Sequence, residues 1–247
     1  MLSRPGWIGF DERVRHQVRY IWDDSRALLD FRGDAAPVLS AAMQMSLRAR
    51  MGLCIGLYEW VIWRFEGLHA RQEPVQILQA AWCATVDPRY LRYFELPRGE
   101  WLGPVEGPLW CAAAWLQPAI SQGYLFQGKL YDGLSFMTRL ALHTLPDTER
   151  FAPWLEVILA RLKQLYPEPP EDPFADLFYH QLAQRLGPLT GRNTLDPSGP
   201  PDSVMTRRFL EDALEEARRT ENAFLAEPDD LADVGFVGQP YVLPPDP

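Results

Sequence analysis

The sequence predicts an all-α fold: an irregular multi-helix bundle around a central buried helix at about residues 37–69. It also predicts long Pro/Gly-rich loops and an acidic C-terminal helix followed by an extended tail. Three observations carry this expectation. First, the stretch SAAMQMSLRARMGLCIGLYEWVIWRFEGL, residues 40–68, has no proline and only Gly52, Gly56 and Gly67. Its apolar residues cover nearly every face of a 3.6-residue helix, which marks a rod buried on most sides. Second, flanking segments repeat the i, i+3, i+4, i+7 spacing of half-buried helices, most clearly Phe151, Trp154, Leu155, Ile158, Leu159, Leu162 and Leu165. Third, 247 residues at 47% hydrophobic and 23% charged suffice for a sizeable core and exclude wholesale disorder.

The elements follow in order. Residues 1–9 read as a short arm carrying Trp7 and Ile8. A first helix is expected from about Asp11, a good N-cap, to Phe31, with Val14, Val18, Ile21, Trp22, Leu28 and Leu29 as its buried stripe. Gly33-Asp34 ends it, and Pro37 opens the central helix, where its missing N–H costs nothing. Pro74 starts the next helix, to about Val86. Asp87-Pro88 closes it and leads into a short turn of helix. Residues 95–108, with three prolines and three glycines, read as a loop folded back on the body, because Trp101 is expensive to expose. A helix from Leu109 to Ile120 follows, kinked or ended by Pro118. Residues 123–129 read as irregular, with a small hairpin as the alternative. Helices are then expected at about 130–144 and 149–166.

PEPPEDP, residues 167–173, reads as a stiff spacer, after which Asp172 caps a helix to about Leu186. These elements make a core domain, residues 1–187. Residues 188–202 are the clearest linker by composition. Residues 203–247 form the acidic unit: a helix from Ser203 to about Ala226, then a tail too rich in proline and acid for a helix. That tail keeps Leu231, Val234, Phe236, Val237, Tyr241, Val242 and Leu243. It is therefore expected to lie along its own domain or along a neighbour, as an extended ligand.

Charge narrows the partner classes. Net charge is −9, and residues 196–247 hold four Arg against twelve acids, −8 of that total. No basic stripe for nucleic acid is visible, and the acidic segment repels phosphate and anionic membrane. It favours a protein partner with a basic surface. The apolar run 51–65 is interrupted by Glu59 and Arg64, which argues against a membrane span. Three cysteines, Cys54, Cys83 and Cys111, in apolar surroundings and without paired spacing, point to a reducing, cytoplasmic location.

Glycine-rich phosphate loops, serine nucleophile elbows, paired-cysteine zinc motifs and HExxH are absent, and no cofactor is expected. Glu66 and His69 have the Glu-x-x-His spacing of carboxylate-bridged metal bundles. Asp176 and His180, four apart on one helix, and Glu59 are the candidate partners for that metal site. The stronger expectation is a protein-binding surface built from Trp101, Glu211, Asp212, Glu215, Glu216, Asp229, Asp230, Phe236 and Tyr241. Such a profile suits a non-enzymatic interaction protein, for example a bacterial toxin-neutralising (immunity) protein or an accessory subunit of a defence or secretion system. The alternative is an all-α metal- or small-ligand-binding enzyme with an aromatic interhelical pocket. Oligomeric state is left open by the sequence.

Overall fold

The computed structural model describes residues 2–10, 17–31, 33–146, 149–170 and 186–244. The described residues form a helical bundle with no named strand, only two isolated antiparallel bridges. The helices, in chain order, are α1 (Ala27–Asp30), α2 (Ala36–Ala42), α3 (Leu47–Arg64), α4 (Glu73–Ala84), α5 (Gly103–Ser121), α6 (Gln127–Thr144), α7 (Phe151–Leu165), α8 (Ser203–Arg219) and α9 (Pro228–Asp233).

α3 is the axis, and every one of its residues is buried, Leu47 through Arg64. Helices α4, α5 and α6 pack against it, α5 pairs with α6, and α2 bridges α6 and α7. α8 lies on α4 and on a short 3-10 turn, Arg192–Leu195, which itself rests on α3. Gly133 of α6 permits a close approach to α5, since a Cβ there would meet the Ala119 Cβ at 2.5 Å.

The central helix is shorter than expected. Residues 43–46 break it, separating α2 from α3. The reason is competition for backbone groups. The segment leaving α7 crosses here, so the Ser46 amide donates to the Tyr166 carbonyl (2.8 Å) and the Glu168 amide donates to the Gln44 carbonyl (3.0 Å). Met45 and Pro167 form an isolated antiparallel bridge. The Ser46 amide is thereby spent outside the helix.

A rod buried on all sides must still accommodate its charges, and α3 does so by turning arginines into caps for other chain ends. Arg48 Nε donates to the Thr85 carbonyl (2.8 Å), and its terminal nitrogens reach Val86 (3.2 Å) and Gly187 (2.5 Å). The Thr85 and Val86 carbonyls lie just past α4 and have no intrahelical donor. Burial lowers the Arg48 pKa from 12.5 to about 10. Arg64 does the same at the end of α6, donating to Thr144 (3.3 Å), and also holds the Gln17 carbonyl (2.7 Å). Arg50 binds Met45 (2.9 Å) and the Tyr131 hydroxyl (3.0 Å), and pairs with Glu168.

Several expected elements differ. Of the first helix only α1 is helical among the described residues, and its cap Asp11 and Val14 lie outside them. Residues 17–23 are non-helical. Ile21 is 82% exposed and Leu29 74%, so the stripe is not buried. The backbone is pinned by side chains instead: Arg64 takes Gln17, His143 Nε2 donates to Ile21 (2.9 Å), and Arg98 takes Asp24. α5 begins six residues before the expected Leu109 and runs past Pro118 to Ser121. Pro104 suits its first turn. Pro108 removes the amide that the Pro104 carbonyl would accept from, and the Tyr20 hydroxyl supplies the donor. α8 ends at Arg219 rather than near Ala226. The tail does contain a helix, α9, because Pro228 fits its first turn and Glu227 and Asp230 form a capping box. The helix expected over 172–186 falls almost wholly outside the described residues.

Candidate interaction surface

Among the longer described helices, α8 is the most strongly two-sided. Asp202 caps it, its carboxylate accepting from the amides of Val204 (2.7 Å) and Met205 (3.4 Å). Arg218 and Arg219 fall in the last turn, where the helix dipole favours cations. Its inner stripe, Thr206, Leu210, Ala213, Leu214 and Ala217, is buried. Phe209 meets the Trp82 ring of α4 edge-on, centroids 5.4 Å apart.

The outer face is charged and open. Glu211 and Asp212 are exposed, and Glu215 and Glu216 are half-buried. Arg207 pairs with Glu211 (3.2 Å) and Arg219 with Glu215, each across one turn. Exposed pairs of this kind contribute only a few tenths of a kcal/mol. Past α8, Asp229 and Asp233 are exposed on α9. Arg92 approaches both Glu227 and Asp230 (3.3 Å each), tying α9 to the body.

Of the residues expected to bind a partner, Glu211, Asp212, Glu215 and Asp229 share this outward-facing unit. Trp101 does not belong to it. It is 2% exposed and lies beneath the Arg71 guanidinium, 3.9 Å from the ring centre. Tyr241 is also buried, stacked on Tyr90 at 4.3 Å, and Phe236 is half-buried beside the same ring at 5.7 Å. These three aromatics anchor the chain to itself. The tail packs on its own body through Phe236 and Tyr241, and residues 224–226 pair with 90–92: Arg92 N–H to Phe224 (2.9 Å), Ala226 N–H to Tyr90 (3.0 Å).

The Glu-x-x-His pair is not on a helix. α3 ends at Arg64 and Gly67 turns left-handed, φ +80°. Glu66 pairs with Arg4 (3.5 Å), and His69 Nδ1 accepts the Arg71 amide (3.1 Å). Burial lowers the His69 pKa. Asp176 and His180 lie outside the described residues. Among the described residues no three His, Cys, Asp or Glu side chains converge as metal ligands. A cavity of about 540 Å³ lies beside Ala70, Arg71, Gln72, Glu73, Gln76 and Glu106. Five of these six residues are polar or charged, and Arg71 is already paired with Glu73 (3.4 Å) and Glu106 (2.9 Å). Trp60 and Trp82 are packed in the core, and Trp101 is buried behind Arg71.

The chain matches no family model, no curated protein and no solved structure. Its function is therefore argued from its own residues.

Sequence reasoning offered Glu59 only as a metal partner and missed the buried polar cluster it forms with Trp63, Trp82 and Arg192. Glu59, 1% exposed in the middle of α3, accepts from Trp63 Nε1 and Trp82 Nε1 (3.1 Å each) and from Arg192 in a forked pair, Nε at 2.9 and 3.1 Å. Arg192 also donates to Ser3 O (2.7 Å) and lies over Trp7. A lone acid in an apolar helix was the available signal. Its cation comes 133 residues later, from the segment that composition marks as a linker. That segment is anchored rather than loose: Trp154 Nε1 donates to Leu195 (2.9 Å), and Arg161 binds Thr194 (3.2 Å) and Gly199 (2.8 Å). Among the described residues, no helix is long and apolar enough to cross a membrane.

Proposed function

We propose that this chain is a non-enzymatic protein-binding protein whose outward acidic face, on α8 and α9, takes a partner with a basic surface. One observation carries the reading. The buried stripe of α8, Thr206, Leu210, Ala213, Leu214 and Ala217, belongs to a helix packed on α4 and the 192–195 turn, while Glu211, Asp212 and Asp229 are exposed and Glu215 is half-buried. Residues 196–247 concentrate −8 of the −9 net charge; the four acids of α8 are matched by Arg207, Arg208, Arg218 and Arg219, so the anionic excess comes from α9 and the segments flanking α8. Such an excess raises the encounter rate with a cationic surface and rejects anionic ones. In its narrower form, the partner is a basic toxin, a nuclease above all, and the chain is a bacterial immunity protein or an accessory subunit of a defence or secretion system.

The test compares the full chain with a variant carrying Glu211→Lys, Asp212→Lys, Glu215→Lys and Asp229→Lys. Both are used for capture from the native source, with retained proteins identified by mass spectrometry. A basic protein held by the native chain and lost by the variant supports the proposal. An identical set of retained proteins overturns it. If a captured protein is toxic when expressed alone, co-expression with the native chain should restore growth.

A further inference from the structure

α9 and the turn after it form an ordered unit, although the segment has few apolar side chains to bury. The helix is closed at both ends. At its start Glu227 and Asp230 form the capping box. At its end the Gly235 amide donates to the Ala232 carbonyl (3.0 Å) and the Phe236 amide to the Leu231 carbonyl (2.9 Å). These are the paired bonds of a helix that stops on a left-handed glycine, and Gly235 has φ +69°. Side chains then fasten the turn to the body. Leu231 is buried, and Phe236 lies beside the Tyr90 ring and under Arg89, 4.8 Å away. Arg89 also donates to the Gly235 carbonyl (3.4 Å), and Arg92 pairs with Glu227 and Asp230. Further on, Tyr241 stacks on Tyr90 at 4.3 Å.

Two apolar side chains take no part in this fastening. Val234 is 60% exposed and Val237 91%. Val237 stands between the anchored Phe236 and Tyr241, flanked by Gly235 and Gly238 (φ +113°). A single exposed valine on a surface needs no explanation. These two differ in their setting. They sit on backbone whose hydrogen bonds and anchors fix it, and they directly follow the acids of α9. Asp229 and Asp233 are exposed one helical turn apart, and neither has an ion-pair partner among the described residues. The same short unit thus presents unneutralised negative charge and uncovered apolar surface side by side.

We propose that Val234 and Val237 are the apolar anchors of the partner interface: a basic surface drawn in by Asp229 and Asp233 closes on them with apolar side chains set among its own lysines or arginines. The inference rests on the protein-binding reading of the anionic face and adds the residues that hold the partner once it has arrived. Charge complementarity governs mainly the rate of encounter, whereas differences in affinity at one interface lie mostly in the rate of release. The acids and the valines therefore have separate tasks. Because the turn is already ordered, a partner that closes on it orders little new chain.

The test uses the full chain, immobilised, and two synthetic peptides of equal positive charge. One carries leucine and lysine at helical spacing, and in the other serine replaces leucine. Association and release are read separately by surface plasmon resonance. The native chain should release the leucine peptide about tenfold more slowly than the serine peptide. Val234→Ser with Val237→Ser should remove that difference and leave both association rates unchanged. Phe236→Ala, which keeps the valines and takes away their support, should also speed release of the leucine peptide. Equal release of the two peptides from the native chain, or slow release that survives either change, overturns the anchors and leaves the anionic reading standing. Association of both peptides that is indifferent to Asp229→Lys with Asp233→Lys overturns that reading and the anchors together.

Discussion

Glu59 shows how a single side chain can organise distant parts of this chain. It gathers indole donors from α3 and α4 and a guanidinium from residue 192, joining helices, linker and N-terminal arm at one buried carboxylate. Buried pairs of this kind are weak evidence for net stability, but breaking one side is costly. Glu59→Gln should therefore destabilise the chain by about 3 kcal/mol in urea unfolding. Pairing it with Arg192→Met should recover part of the loss. Equal destabilisation by the single and double variants would contradict the account. A second residue-scale prediction concerns alkali. Burial raises the thiols of Cys54, Cys83 and Cys111 from 9.0 to about 12, and Tyr90 from 10.0 to about 12. The folded state holds these protons more tightly than the unfolded chain. Their contribution is fully present below pH 9 and is lost as pH rises toward about 12. Tm should fall steeply across that window, less so with the three cysteines changed to Ala. A flat Tm to pH 11 would refute this. The cysteines' burial was legible in the sequence from their apolar neighbours. The Glu59 cluster was not, because side-chain pairing across 133 residues leaves no periodic trace.

At the scale of elements, local periodicity and proline position located α4, α6 and α7 to within a few residues, since their signals are contained in their own segments. It failed where another part of the chain supplied or removed a hydrogen-bonding group. α5 tolerates Pro108 because Tyr20 donates to the orphaned Pro104 carbonyl. The central helix breaks at residues 43–46 because the segment after α7 claims the Ser46 amide. Over residues 17–26 the expected first helix is replaced by backbone pinned to Arg64, Arg98 and His143. α9 was missed because its acids and proline were taken as helix breakers, although the first turn is where both are favourable. The α5 explanation makes a specific prediction. Tyr20→Phe should cost about 1 kcal/mol in the native chain. With Pro108→Ala in place, the helix regains its own donor and that cost should shrink. A double-mutant cycle in urea that comes out additive would show that Tyr20 does not substitute for the missing amide.

For the whole molecule, the distribution of charge was the most informative reading of the sequence, and the structure places much of that charge on an open surface. α8 separates its two tasks by face: its inner residues attach it to α4, and its outer acids are left to solvent. Reversing Glu211, Asp212, Glu215 and Asp229 should therefore leave stability within about 1 kcal/mol of native, because the ion pairs involved are exposed. A larger loss in urea unfolding would mean that these acids hold the fold. The sequence marked the acids but not which aromatics accompany them. Trp101 and Tyr241 are inside because Arg71 and Tyr90 cover them, contacts that composition does not reveal. The measurement that most directly tests the proposed function is the association rate with the captured partner as salt is raised from about 0.05 to about 0.5 M. The account predicts a steep fall for the native chain, and slow association at every salt concentration for the fourfold charge-reversed chain. A rate indifferent to salt, and equal in the two chains, would contradict it.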